Sequence, residues 1–261
     1  NVGGDPNNSI TGNRSKYIIE EYRLDPRHFG LNSFGKYQLK ENQQINFGLH
    51  ISRYMSKNYR LMNDLLGGDY WVDIDQFAEQ DFEDPNLAQN DLQEINRVVY
   101  NGDIFGYNYN IHVNKNEAFG EYNFSTSKIE SFLGLTLSNS SFWRNGIMQN
   151  GRFPDNSLGN SEKQNFYNYG AKVGFLYKIT GRHLISFNGL YKTEAPYVRN
   201  AYVSPRTRDQ LVPNLTSIEI ISGDLNYNIR LPFLKARLSG FYTQINNQTW
   251  ARSFYHDEYR T

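Results

Sequence analysis

Tyr167-Asn-Tyr-Gly-Ala-Lys-Val-Gly-Phe-Leu-Tyr-Lys-Ile179 puts Tyr167, Tyr169, Ala171, Val173, Phe175, Tyr177 and Ile179 on one parity. Asn168, Gly170, Lys172, Gly174 and Lys178 hold the other, broken by Leu176 alone. Successive side chains of a β-strand point to opposite faces, so the segment reads as a strand with one apolar wall and one wet wall. Aromatic residues at both ends of the apolar wall, with small aliphatics between them, match the lipid-facing surface of a transmembrane β-barrel. A strand of a soluble sandwich alternates too. The choice between them falls to the other strands and to their connections.

The same rhythm returns in pairs. Ser33–Lys40 and Gln44–Tyr54 flank the polar turn Lys40-Glu-Asn-Gln43, with Ile45, Phe47, Leu49 and Ile51 on one parity. Ile104–Phe124 carries Phe105, Tyr107, Tyr109, Ile111 and Val113 against Gly106, Asn108, Asn110 and His112. Its phase slips near Asn114–Glu117, which predicts a bulge or a break. After Ser125-Thr-Ser-Lys128 come Ile129, Ser131, Leu133, Leu135 and Leu137; after Thr180-Gly-Arg182 come Ile185, Phe187, Gly189 and Tyr191. The last pair is Ser217–Ile229 and Lys235–Asn246, joined by Arg230-Leu-Pro-Phe-Leu234. Residues 1–31 read as a loop-rich lead-in, with Lys16–Tyr22 a short strand or turn of helix, and 32–261 as the barrel. Long polar connections are expected at about 55–102, 140–165 and 194–215.

Short turns therefore fall at one end and long loops at the other, the asymmetry of outer-membrane barrels. Strands of about 10 to 13 residues suit the hydrocarbon thickness at a tilt. The fold class expected is all-β, an antiparallel transmembrane β-barrel of which about eight strands are visible. A soluble sandwich is the alternative on pattern alone.

Bulk composition narrows the function classes. With 27 basic and 27 acidic residues the net charge is zero, so no overall field argues for a nucleic-acid partner. Mean hydropathy is −0.70 and no apolar run approaches the roughly 18 residues of a membrane helix. Barrel strands hide their hydrophobicity in alternate positions and escape that test. Tyr (20) and Phe (17) are abundant, and Cys is absent, which removes disulfides and thiolate metal sites. The N-terminus shows neither an initiator Met nor a signal segment, so the sequence reads as an internal piece of something longer.

Leu61–Asn96 contains no Lys or Arg and carries ten carboxylates. Hard cations take oxygen ligands, which makes Asp73, Asp75, Asp81, Glu83 and Asp84 the candidate ligands of a Ca²⁺ ion, although EF-hand spacing is missing. No other cofactor is expected. The aromatic residues Tyr70, Trp71, Phe77 and Phe82 interleave with these acids. Rings on a loop can contact a ligand or pack the loop on itself, and Trp71 is the foremost contact candidate. Trp143, Arg144 and Arg152 are the complementary aromatic and basic candidates in the second loop. No His-Glu-x-x-His, Gly-x-Ser-x-Gly or phosphate-binding glycine loop occurs, so no enzyme is expected. His50 and His112 fall on wet parities, and His256, Asp257 and Glu258 are consecutive rather than convergent.

Ser141-Phe-Trp-Arg-Asn-Gly-Ile-Met-Gln-Asn-Gly-Arg-Phe153 and the stretch from Lys192 to Asp209 resemble extracellular loops of TonB-dependent outer-membrane receptors of the Bacteroidetes type. Asn214–Tyr227 and Gly240–Thr249 look like a strand pair late in that receptor barrel. The resemblance runs from about residue 30 onward. It implies an arc of a 22-stranded barrel, located in the outer membrane, that binds and imports a small nutrient ligand. Its partners would be outer-membrane lipids, TonB through a plug domain outside this sequence, and a surface lipoprotein. Two rivals remain: a scaffold barrel in an outer-membrane assembly or secretion complex, and a soluble β adhesin or carbohydrate-binding module.

Overall fold

The computed structural model describes residues 10–250. In chain order the elements are β1 (Ile19–Lys40), β2 (Gln43–Asp64), β3 (Trp71–Val72), α1 (Gln76–Asp81), β4 (Val98–Val99), β5 (Ile104–Ser125), β6 (Ile129–Gly146), β7 (Gly159–Asn160), β8 (Gln164–Lys178), β9 (His183–Glu194), β10 (Ile218–Arg230) and β11 (Lys235–Asn246). Eight long strands form one antiparallel sheet in the order β1-β2-β5-β6-β8-β9-β10-β11, with β7 added to the end of β6. Each long strand pairs with the next one in the chain, the connectivity of a barrel arc. The protein is all-β, as the alternation requires.

Register explains why the sheet has two unlike faces. Across the strands Gly35, Phe47, Gly120, Leu135, Ala171, Tyr191 and Ile221 lie in one row. The next row holds Tyr37, Ile45, Tyr122, Leu133, Val173, Gly189, Gly223 and Tyr242. Below it come Phe124, Ser131, Phe175, Phe187, Leu225 and Gly240, then Ile129, Tyr177, Ile185, Tyr227 and Leu238. None of these positions is charged, and the row of Phe124 and Ser131 ends through Gln43 at Lys40, beside the first turn. Most of the large ones are exposed rather than packed, Leu135 at 57% and Leu238 at 76%, while Ile45, Phe124, Ile129, Tyr191 and Tyr227 are half-buried. This is an apolar belt on one face of the sheet. The opposite face at the same height carries ion pairs, Lys172 with Glu121 at 2.5 Å and Lys192 with Glu194 at 2.6 Å.

Several expectations need correction. Residues 19–31 are not lead-in but the first half of β1, and residues 1–9 lie outside the described part. β1, β2 and β5 each have 22 residues and β6 has 18, well beyond 10 to 13. A strand of that length spans about 70 Å, more than twice a hydrocarbon core, so its upper half stands clear of the belt. The first two long connections shorten accordingly, to 65–103 and 147–163, and the third runs over 195–217, close to its expected length.

The phase slip in β5 is not a bulge. Pairing runs unbroken through Asn114–Glu117, opposite Arg53–His50. What changes is which face is dry. Ala118, Gly120 and Tyr122 belong to the belt, whereas Phe105, Tyr107, Tyr109 and Ile111 point to the opposite face and are buried there. The real irregularity lies higher, where Gly106 and Tyr107 are inserted opposite the Tyr59–Arg60 step and Gly106 adopts φ +73°. His112 consequently sits on the belt face, not on a wet lumen parity.

The three long loops form one roof over the upper end of the sheet. Tyr70, Val72, Ile74, Ala78 and Ala88 give the first loop its own core. Met62, Leu65, Trp71, Val99 and Phe105 seal that loop to β2 and β5. Tyr107, Tyr109, Ile111 and Phe142 receive Ala201 and Tyr202 from the third loop. Backbone bonds tie the loops to one another: Leu92 N–H donates to Gln149 O at 2.8 Å, Gly151 N–H to Gln89 O at 2.8 Å and Asp209 N–H to Asn156 O at 2.8 Å.

Candidate ligand cleft

Beneath the roof lies a cleft of about 530 Å³. Its floor is the face opposite the belt, where Glu20 of β1, Arg60 of β2 and Phe105 and Tyr107 of β5 project. Its walls come from all three loops: Trp71 and Phe77 from the first, Arg152 from the second, Arg206 from the third. Long strands are what allow this. Because β1, β2 and β5 run past the belt, their upper ends meet the loops.

Two arginines and two phenols interleave at the floor. The Arg60 guanidinium lies 5.4 Å from the ring centre of Tyr22 and 5.7 Å from that of Tyr107, and Arg206 lies 5.0 and 5.2 Å from the same two rings. Such contacts hold a cation without neutralising it. Arg60 pairs with Glu20 at 3.2 Å, and Tyr22 Oη donates to Glu20 Oε1 at 2.6 Å. That hydrogen bond raises the Tyr22 pKa, and burial raises that of Tyr107, so both remain neutral phenols. Arg152 donates to Asp75 Oδ2 at 2.9 Å. Among the described residues Arg206 has no carboxylate partner, and its side chain is exposed. Lys16, Arg60, Arg152 and Arg206 face Glu20 and Asp75 around the cleft, an excess of two positive charges.

The structure brings together Trp71, Phe77 and Arg152 and disperses the other candidates. Tyr70 belongs to the first loop's core. Trp143 lies on β6, on the belt side, stacked on His112 with ring centres 4.7 Å apart. Arg144 is buried and serves as a pin: its Nε donates to Pro205 O at 2.7 Å and its Nη1 to Ser157 O at 2.7 Å, binding the third and second loops to β6. Burial lowers its pKa, opposed by the nearby Asp209 carboxylate, and burial pushes the adjoining Tyr109 up to about 12.

The acidic candidates do not converge. Asp73 accepts from Arg97 Nη2 at 2.6 Å, Asn90 Nδ2 at 2.8 Å and Gly106 N–H at 2.8 Å, so both its oxygens are occupied. Asp75 caps α1 by accepting from Phe77 N–H and Ala78 N–H. Asp84 caps the 3₁₀ turn Pro85–Ala88, and Asp81 and Glu83 are exposed. Among the described residues no three His, Cys, Asp or Glu side chains are grouped to hold a metal ion. Asp73, Asp75 and Asp84 terminate helical turns or hold loops, which accounts for part of the acidic content of a segment without Lys or Arg. His256, Asp257 and Glu258 lie outside the described residues.

Arg60, Arg206, Tyr22 and Tyr107 are functional candidates that sequence reading missed. Arg60 fell in a stretch read as a long connection, Tyr22 at the end of a segment read as a short strand or turn of helix, and Arg206 joins them from far along the chain. One signal was available: Tyr107 is a large apolar residue on the parity that stops being the belt parity further down the same strand.

No family model matches this sequence, and no curated protein matches it. Among solved structures it is similar to the siderophore receptor PirA from Pseudomonas aeruginosa, with 11% identity and a TM-score of 0.28. That similarity covers 91% of this chain and 54% of the receptor chain, so it spans about half of that protein.

Proposed function

We propose that this chain is an arc of an outer-membrane β-barrel that binds a nutrient ligand in the roofed cleft and admits it across the membrane. The observation that carries the reading is the uncharged apolar belt, exposed on every long strand and located opposite a face of paired charges. Water would not tolerate that belt as a free surface on a monomeric soluble domain. Lipid would require it. The belt also argues against the soluble adhesin. The roofed end is then the outer end, and the four short turns face inward. The energy source follows the family resemblance: TonB, acting through a plug.

The cleft's chemistry favours an anionic ligand that carries a ring. Arg206 offers a cation with no carboxylate partner among the described residues, and Trp71, Phe77 and Tyr107 offer flat faces. Calorimetric titration of the purified protein with 2,3-dihydroxybenzoate and with uncharged catechol tests this. The acid is expected to bind more tightly, and Arg206→Ala to weaken it about tenfold or more, the equivalent of one charge-assisted hydrogen bond. Equal binding of the two compounds, or an unaffected variant, contradicts the cleft assignment. Unchanged cellular uptake of the bound compound after loss of the protein contradicts import.

A further inference from the structure

The four short turns carry a charge pattern that the transport reading does not use. Lys40, Lys128, Arg182, Arg230 and Lys235 are exposed, and among the described residues none has a side-chain partner. Lys178 is matched by Glu130 at 2.5 Å. Against the five stands a single uncommitted carboxylate on the turns, Glu41. The cations stand directly at the end of the belt. Lys128 precedes Ile129 of the lowest row, and Arg230 and Lys235, paired with each other, lie three residues beyond Tyr227 and Leu238 of that row, on the parity of the opposite face, so they match the belt's edge in height. At about 3.3 Å per residue this places them within roughly 10 Å of the hydrocarbon edge, the depth of lipid headgroups.

A second feature points the same way. The last turn, Leu231-Pro-Phe-Leu234, presents Phe233 at 86% exposure and an exposed Leu234 between Arg230 and Lys235. An apolar tip flanked by cations is the arrangement that sits at a membrane interface, ring toward the acyl chains and charges toward phosphate. The cations are distributed over turns along the whole arc rather than gathered in one concavity. That suits a continuous anionic surface better than one small ligand.

We propose that the turn rim binds anionic glycerophospholipid headgroups of the leaflet it faces. The inference rests on the outer-membrane reading. Each lysine or arginine near an anionic surface strengthens attachment by roughly fivefold at low salt.

The test uses the protein in nanodiscs made from an equal mixture of phosphatidylglycerol and phosphatidylethanolamine, with retained lipid counted by native mass spectrometry. Phosphatidylglycerol is expected to be enriched severalfold, and the enrichment to fall with salt. It is expected to vanish when Lys40, Lys128, Arg182, Arg230 and Lys235 are all replaced by Gln, and to persist when the three lysines are replaced by Arg. Single Lys128→Gln and Lys235→Gln variants are expected to lose part of it, which keeps the test decisive if the fivefold variant does not insert. No enrichment, enrichment that survives neutralisation, or retention of lipid A phosphate in its place overturns the rim assignment while leaving the barrel intact. Protein that retains no lipid and stays in the aqueous phase overturns the barrel reading along with it.

Discussion

Replacing Asp73 by Ala is expected to loosen the first loop by about 3–5 kcal/mol, the cost of removing one partner from a buried ion pair. Its side chain is 1% exposed and neutralises Arg97, and it also accepts from Asn90 and from the inserted backbone of Gly106. Without it, Arg97, 26% exposed, keeps only the outer carboxylate of Glu94 at 3.4 Å, and the Gly106 N–H loses its acceptor. The effect should be local. Amide exchange across 65–103 accelerates by orders of magnitude, while β8 to β11 exchange as before. Asp73→Asn should lose most of the same stability, because an amide presents a donor where the protein already supplies donors. Replacing Arg97 by Met in the Asp73→Ala background should recover part of the loss, since an uncharged pair removes the stranded cation. Unchanged exchange in 65–103 after Asp73→Ala would contradict the account of the roof.

The second large effect concerns the belt. Ala171 lies between Leu135 and Tyr191 in the middle of the apolar rows. Ala171→Arg is expected to cost about 2–4 kcal/mol of folding into lipid, the penalty for a cation near the bilayer midplane. Thr136→Arg places the same charge on the neighbouring strand but on the opposite face, and it should cost less than about 1 kcal/mol. Denaturant titration of protein folded into vesicles measures both. Equal costs at the two positions would mean that the two faces meet the same solvent.

What could be read in advance, and what could not, follows from how many faces of a strand are dry. Tyr167–Ile179 has one dry face along its whole length, so period 2 is plain. Ile104–Ser125 has a dry face throughout, but it changes sides between Val113 and Ala118, and from composition alone that change cannot be distinguished from a bulge. β1 was invisible above Leu31 because Glu20 to Phe29 lacks apolar alternation and includes Pro26. Among the described residues β1 is the outermost strand of the sheet, where proline need not donate to a neighbour, so the strand persists where propensity alone denies it. The acidic loop misled for a different reason. Its carboxylates suggested a cation, yet Asp73, Asp75 and Asp84 are satisfied by backbone N–H donors nearby and by arginines outside the segment, Arg97 and Arg152. Trp71, Phe77 and Arg152 could be chosen because they are conspicuous residue types in loops. Arg60, Tyr22 and Tyr107 become a site only through the pairing of β1, β2 and β5.

The central claim is that one face of this sheet meets lipid. The chain has no cysteine, so single cysteines can be placed along 168–177 and labelled with a nitroxide in the membrane-inserted protein. Collision with oxygen, which partitions into lipid, and with a water-soluble nickel chelate then reports the surroundings of each position. The account predicts strict alternation: oxygen dominates at Tyr169, Ala171, Val173, Phe175 and Tyr177, and the chelate at Asn168, Gly170, Lys172 and Gly174. Comparable access of the chelate to both sets would contradict it and return the sheet to water.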